Sequence, residues 1–456
     1  MDKKKIAKFG FAFLLANAFA GLMLSIPRSY ASYAFTDVAG IDPAVMAVCL
    51  TVVNLATLFF SIFNGAFIQN TRSKMGQYRP WLLFASIVCV VGGFLMFCSL
   101  GHGTLATAIM IAIGYMAAQV STDFVFTARN GILGKVAGGD SEVRTVLGSR
   151  SYQGNYLSYL IGGAIVLPII NFFRSTGVSE AGAFRFAQLI LAALIMIGTI
   201  VLFVVSKPYD TSNVDQAVVK EKTNFLEMLK GVLANPPAVV LIICDVLRFT
   251  GYFLFSAIMV YQCTYVLGDM NVMTTVLSTY AVAAFLGATC APYFCKMLGG
   301  RKKLSIVYSV LSGVCCLGTC LFGQSKWGFI ISVCLYFFFS SHIDAVDVLM
   351  YMDAGEYWLH ETGKDTRSFN ISVFNLAAKI SMTLSGILTG VVLKMIGFNA
   401  GAELTAAGKT ALTWVTGGSI GIGYLLPAFV LILFYKISDK DAERYIAENA
   451  EKYDNK

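Results

Sequence analysis

Twelve long apolar segments parted by short polar loops limit what this chain can fold into. They lie at roughly 8–35, 44–69, 80–99, 104–131, 148–172, 184–206, 237–266, 272–297, 303–323, 328–356, 369–396 and 410–436. About 20 apolar residues cross the hydrocarbon core of a bilayer as a helix. Only a chain held in lipid can carry twelve such runs, because a water-soluble core of this size cannot hide so much apolar surface. The balance of 57% hydrophobic to 13% charged residues agrees, since soluble domains carry about a quarter charged. The expected class is an all-α membrane protein of twelve transmembrane helices.

The first segment resembles a secretory leader, with Lys3, Lys4 and Lys5, then an apolar run, then Ala18-Phe19-Ala20. The run continues past Gly21 towards Phe35 and eleven more follow, so it reads as an uncleaved first helix. The longest polar stretch, Lys207 to Pro236, divides the chain six plus six. The expected organisation is a six-helix bundle at 1–206, a cytoplasmic central loop at 207–236, a second bundle at 237–437 and a cytoplasmic tail at 438–456. Lys and Arg crowd one set of loops: Lys3 to Lys5, Arg72/Lys74/Arg79, Lys135/Arg144, Lys220/Lys222/Lys230, Arg301 to Lys303 and Lys364/Arg367. The opposite loops are nearly free of them, which puts both termini in the cytoplasm of a plasma-membrane (cell inner membrane) protein. The net charge of +8 reflects this bias and not nucleic-acid binding.

Enzyme chemistry finds no foothold. The eleven cysteines are scattered through apolar segments without C-x-x-C spacing, and His102, His342 and His360 form no ligand motif. No metal, no cofactor and no nucleophile–base set is expected.

Ionisable residues inside apolar segments are functional candidates by default. Asp123 on the fourth segment and Arg150 on the fifth are symmetric about the loop between them, and so are Asp344 and Lys379 on the tenth and eleventh. The two acids are 221 residues apart and the two bases 229, so each half places an acid on its fourth helix and a base on its fifth. Two such pairs facing each other would make a polar mid-membrane cavity suited to a hydroxyl-rich solute. Asp347 shares the face of Asp344. Asp245 and Arg248, at i and i+3, read as a local structural bridge.

Four stretches carry a family resemblance: Thr71-Arg72-Ser73-Lys74-Met75-Gly76-Gln77-Tyr78-Arg79-Pro80-Trp81, Phe35 to Gly40, Tyr261 to Asp269, and Asp353 to Lys379 through Gly363 and Arg367. Together, in this order, the chain resembles the glycoside-pentoside-hexuronide:cation symporters. The resemblance implies a major facilitator fold of two six-helix bundles and transport by alternating access. It implies that Asp123 and Arg150 bind sugar hydroxyls, with Asn17 near a second sugar-binding position and Lys379 near the cation site. Arg72, Asp140, Arg144, Glu361 and Arg367 fall where the family closes its cytoplasmic side by ion pairs. The family's helix-2 carboxylates align with Thr57 and Ser61, and its D-x-P-x-W motif reads Asp123, Val125 and Thr127. Without those carboxylates, strong sodium dependence is not expected. Proton coupling through Asp123, Asp344 or Asp347, or uniport, is expected instead. The expected partners are a sugar, glycoside or sugar acid and the lipid bilayer, with H+ in the coupled case, for a monomer. Two other functions fit the same chain: a carrier of another organic solute, and a membrane sensor without transport.

Overall fold

The computed structural model describes residues 3–211, 225–269, 271–396 and 404–454. Lys220 and Lys222 of the central segment lie outside them. The expected apolar runs appear as twelve long helices: α1 (Lys3–Tyr33), α2 (Pro43–Gln69), α3 (Arg79–Leu95), α4 (Leu105–Ala137), α5 (Ser141–Ser175), α6 (Glu180–Val205), α8 (Pro236–Tyr261), α9 (Asn271–Leu298), α10 (Arg301–Phe322), α11 (Lys326–Thr362), α12 (Arg367–Met395) and α13 (Ala406–Phe434). Two shorter helices, α7 (Phe225–Ala234) and α14 (Asp439–Asn449), follow α6 and α13. Among the described residues, ten of the long helices are long and apolar enough to span a membrane. The eleventh is α5, bent by 40° between Gly162 and Ala164. The twelfth, α3, is only 17 residues long. Lipid-facing stripes confirm the class: Val48, Val52, Leu55 and Phe59 repeat along one side of α2 and are all exposed.

The chain forms two compact units, residues 1–138 with 150–229, and residues 139–149 with 230–456. The same pairings recur in each. In the first, α3 packs on α4 and α6, α1 on α6, and α2 on α4. In the second, α10 packs on α11 and α13, α8 on α13, and α9 on α11. Close approach of α1 to α5 depends on Gly154, where a Cβ would stand 2.2 Å from the Leu14 carbonyl oxygen. The first turns of α5 belong with the second unit and its remainder with the first.

Several helices outrun their apolar segments, because caps and not hydropathy end them. The α4 helix continues to Gly138 and α11 to Gly363, both at positive φ, where glycine alone is unstrained. This corrects the expectation of loop charges: Arg144 is the fourth residue of α5, Glu361 is in the last turn of α11, and Arg367 opens α12. The central segment 207–236 also contains a helix, α7, which buries Met228 and Val232 four residues apart. In the tail, Ser438 and Asp441 close a capping box that starts α14. The hydroxyl and N–H of Ser438 both bond the Asp441 carboxylate, which holds it below its usual value.

Candidate functional site

Within the first unit, a polar seam joins α2 and α4. Asp123 is nearly buried, and the Ser61 hydroxyl donates to its Oδ2. One turn on, the Thr127 hydroxyl lies 3.4 Å from Asn64 Oδ1. Thr57 turns its own hydroxyl to the Asn54 carbonyl at 2.9 Å. A carboxylate has about four lone-pair positions, of which the Ser61 hydroxyl takes one. The structure thus brings together two sequence candidates, Ser61 and Asp123, that lay on separate lines of argument.

The other candidates of this unit stand apart. Asn17 is buried and its amide bonds back to the Phe13 carbonyl at 2.7 Å. Arg150 is exposed, its stem crosses Gly10 of α1, and its Nη1 donates to Gln153 at 2.9 Å. Arg129 went unnoticed in the sequence, although it sits inside an apolar segment. It is 6% exposed and donates Nη1 to the Ala16 carbonyl of α1 at 3.1 Å.

In the second unit three acids gather around Arg248. Arg248 of α8 holds Asp344 through Nη1 at 2.6 Å, and Asp245 at 3.1 Å and Asp347 through Nη2. Tyr351 donates to the second oxygen of Asp245 at 2.8 Å. The Asp245–Arg248 bridge is therefore one edge of a buried cluster of three carboxylates around one guanidinium, not an isolated local pair. Lys379 is half-buried on α12. The sequence signal for Arg248 was present, but its i, i+3 neighbour offered a sufficient local explanation.

Around the ends of the helices that carry the basic loops, the gate candidates find varied partners. Arg144 of α5 pairs with Asp353 of α11 at 2.9 Å, and Arg301 of α10 pairs with the other Asp353 oxygen at 2.9 Å. All three are buried. Arg367 bonds Asp365 at 2.9 Å and lies 3.6 Å from Glu356. Glu361 meets His360, whose other nitrogen is 2.6 Å from Glu448 of α14. Arg72 bonds the carbonyls of Gln69 and Thr71, and Asp140 caps α5 by accepting from the Val143 N–H. Sequence reasoning missed Asp353 as a gate residue, along with two capping acids. Asp210, beyond α6, accepts the N–H groups of Gln77, Tyr78 and Arg79 and pairs with Lys135 at 2.7 Å. Asp439, beyond α13, accepts the N–H of Arg301. Each unit thus uses the carboxylate after its last long helix to cap its third, where orphan N–H groups and the helix dipole favour negative charge.

The family model described as MFS/sugar transport protein matches residues 12–439. The uncharacterized symporter YjmB of Bacillus subtilis (strain 168) is 25% identical over 94% of this chain and 92% of its own. The isoprimeverose transporter of Lactiplantibacillus pentosus is 24% identical over 97% and 91%. Among solved structures, the proton:xylose symporter XylE bound to 6-bromo-6-deoxy-D-glucose shares the fold with a TM-score of 0.65, at 12% identity, over 98% of this chain and 100% of its own.

Proposed function

The chain belongs to the MFS/sugar transport protein family, and from that premise we propose that it moves a sugar-like solute across the plasma membrane by alternating access, coupled to protons. Membership makes it a multi-pass membrane transporter and not an enzyme. The observation that carries the solute reading is the buried Asp123 in the middle of α4, bonded by the neutral Ser61 hydroxyl, because a carboxylate so placed accepts hydrogen bonds from solute hydroxyls. Arg150 supplies donors and Asn17 an amide in the same unit. The names of the relatives support a saccharide or a saccharide derivative. The positive-inside pattern supports cytoplasmic termini, and the protein is taken to act as a monomer. The test is exchange counterflow in proteoliposomes against a panel of glycosides, pentosides and uronides. Uptake of at least one panel member above protein-free vesicles supports the reading. Uptake of none of them overturns it.

For coupling, the Arg248 cluster is the proposed proton site. Three carboxylates around one guanidinium carry a formal charge of −2 when all are ionised, and one bound proton removes half of that excess in a medium of low dielectric. The Ser61–Asp123 contact favours a second reading, in which a cation is held between α2 and α4. That site offers one carboxylate and neutral hydroxyls, a sparse set for a hard cation. Lys379 lines the solute path in either case.

We also propose that the buried Arg144–Asp353–Arg301 set holds the cytoplasmic ends of α5, α10 and α11 together, with Arg367–Glu356 beside it. Arg144→Glu sets a carboxylate against Asp353. It should increase modification of single cysteines by a membrane-impermeant maleimide applied from the cytoplasmic side. Labelling rates equal to those of the parent would mean that this set is only a structural staple.

A further inference from the structure

We propose that Arg129 is an anion-binding residue and that the solute is a sugar bearing a carboxylate. This rests on the sugar-transport reading and narrows it to a charge class. Arg129 projects from the final third of α4 and is 94% removed from solvent, since its relative exposure is 6%. A guanidinium has five N–H donors. The structure gives this one a single acceptor, the Ala16 carbonyl, and its Nε has none. No carboxylate pairs with it among the described residues.

That arrangement is costly unless an anion completes it. A buried cation in hydrocarbon is normally paired, and three other buried arginines follow the rule: Arg144 and Arg301 share Asp353, and Arg248 has three acids. Arg79, at the start of α3, donates to two carbonyls, those of Phe203 and Met75, and its backbone N–H bonds the Asp210 carboxylate, whereas Arg129 is answered by one neutral carbonyl. The charge balance of its unit points the same way. In that unit the cations of α4 and α5 are Arg129, Lys135, Arg150 and Arg174 against the one carboxylate of Asp123; Lys135 pairs with Asp210 and Arg174 with Glu180, which leaves Arg129 and Arg150 to balance Asp123.

The neighbourhood is polar. Ala16 precedes the buried Asn17 on α1, and Gly154 of α5 lets that helix approach Leu14 and Asn17 without a side chain between them. Gln153, the partner of Arg150, is 1% exposed beside that glycine. Along α4, six residues separate Asp123 from Arg129, about 9 Å of rise, and their azimuths differ by about 120°. Asp123 accordingly faces α2 and Arg129 faces α1. A single pyranose ring with an acid at one end spans a comparable distance. Its hydroxyls would donate to Asp123, while its carboxylate would take the planar fork of Arg129 in a bidentate pair.

The test is equilibrium binding to the purified full-length protein of matched pairs, D-glucuronate against D-glucose and D-galacturonate against D-galactose, for the wild type, Arg129→Gln and Arg129→Lys. The proposal predicts that the wild type prefers at least one acid over its neutral partner by about tenfold or more, the range of a charge-assisted bond. Arg129→Gln, which still has a donor for the Ala16 carbonyl, should bring that ratio close to one. Arg129→Lys, which keeps the charge but not the fork, should fall between. Equal binding of acid and neutral sugar by the wild type overturns the proposal and leaves sugar transport standing. A preference for the acid that survives Arg129→Gln in full also overturns it. Binding of neither class, together with no counterflow of any sugar, removes the sugar reading and this inference with it. Should Arg129→Gln fail to fold, the wild-type ratio and Arg129→Lys still decide.

Discussion

Arg248→Met should leave almost no folded transporter in the membrane. The guanidinium touches Asp245, Asp344 and Asp347, and its own side chain is 3% exposed. Removing one member of a buried ionic group strands the remaining charges, typically at about 3–5 kcal/mol. Here three carboxylates lose their common partner. The measurement is yield and thermal unfolding of a fluorescent fusion by size exclusion. A second variant separates charge from packing: Arg248→Met combined with Asp245→Asn and Asp347→Asn removes the two most buried acids and should restore a monodisperse peak. Wild-type yield and unfolding temperature for Arg248→Met alone would show that the cluster contributes little to stability.

The second large effect is on binding and not on folding. Asp123→Ala should reduce solute counterflow to the level of protein-free vesicles, while the protein still reaches the membrane. Loss of a carboxylate that accepts two hydroxyl donors removes about 1.5–3 kcal/mol per bond, a factor of roughly ten to a hundred each. The structural cost is smaller, because Ser61 keeps its alternative acceptor, the Thr57 carbonyl at 2.7 Å. Arg150→Ala should act likewise, and more cleanly, since Arg150 is exposed and its loss leaves no buried carboxylate behind. Near-normal counterflow by both variants would remove Asp123 and Arg150 from the solute site.

The spans were legible in the sequence because burial in lipid demands continuous apolar runs, and the starts of α2 and α8 fall within a residue of the expected positions. The helix ends were less so. Hydropathy locates the bilayer, whereas Gly138 and Gly363 locate the caps, several residues further on. The α7 and α14 helices were invisible to a search for apolar runs because each is amphipathic and short. At the candidate sites, chemistry was readable and partnership was not. Asp344 and Asp347 were recognisable as acids inside a span, but their contact with Arg248 was not. The side chain that reaches Asp344 at 2.6 Å comes from α8, almost a hundred residues earlier, and no local spacing records that approach. Arg144 was chosen as a charge facing other loop charges. Its partner Asp353 lay inside a run that reads as helix interior. Arg129 shows the opposite failure, a residue whose position alone should have singled it out.

The most direct test of the whole account is uptake of a counterflow substrate into proteoliposomes under separately imposed gradients. An inward proton gradient without sodium should drive accumulation above equilibrium, and Asp344→Asn or Asp347→Asn should reduce this to simple equilibration. Accumulation driven by a sodium gradient alone, at constant pH and unaffected by either variant, would contradict it.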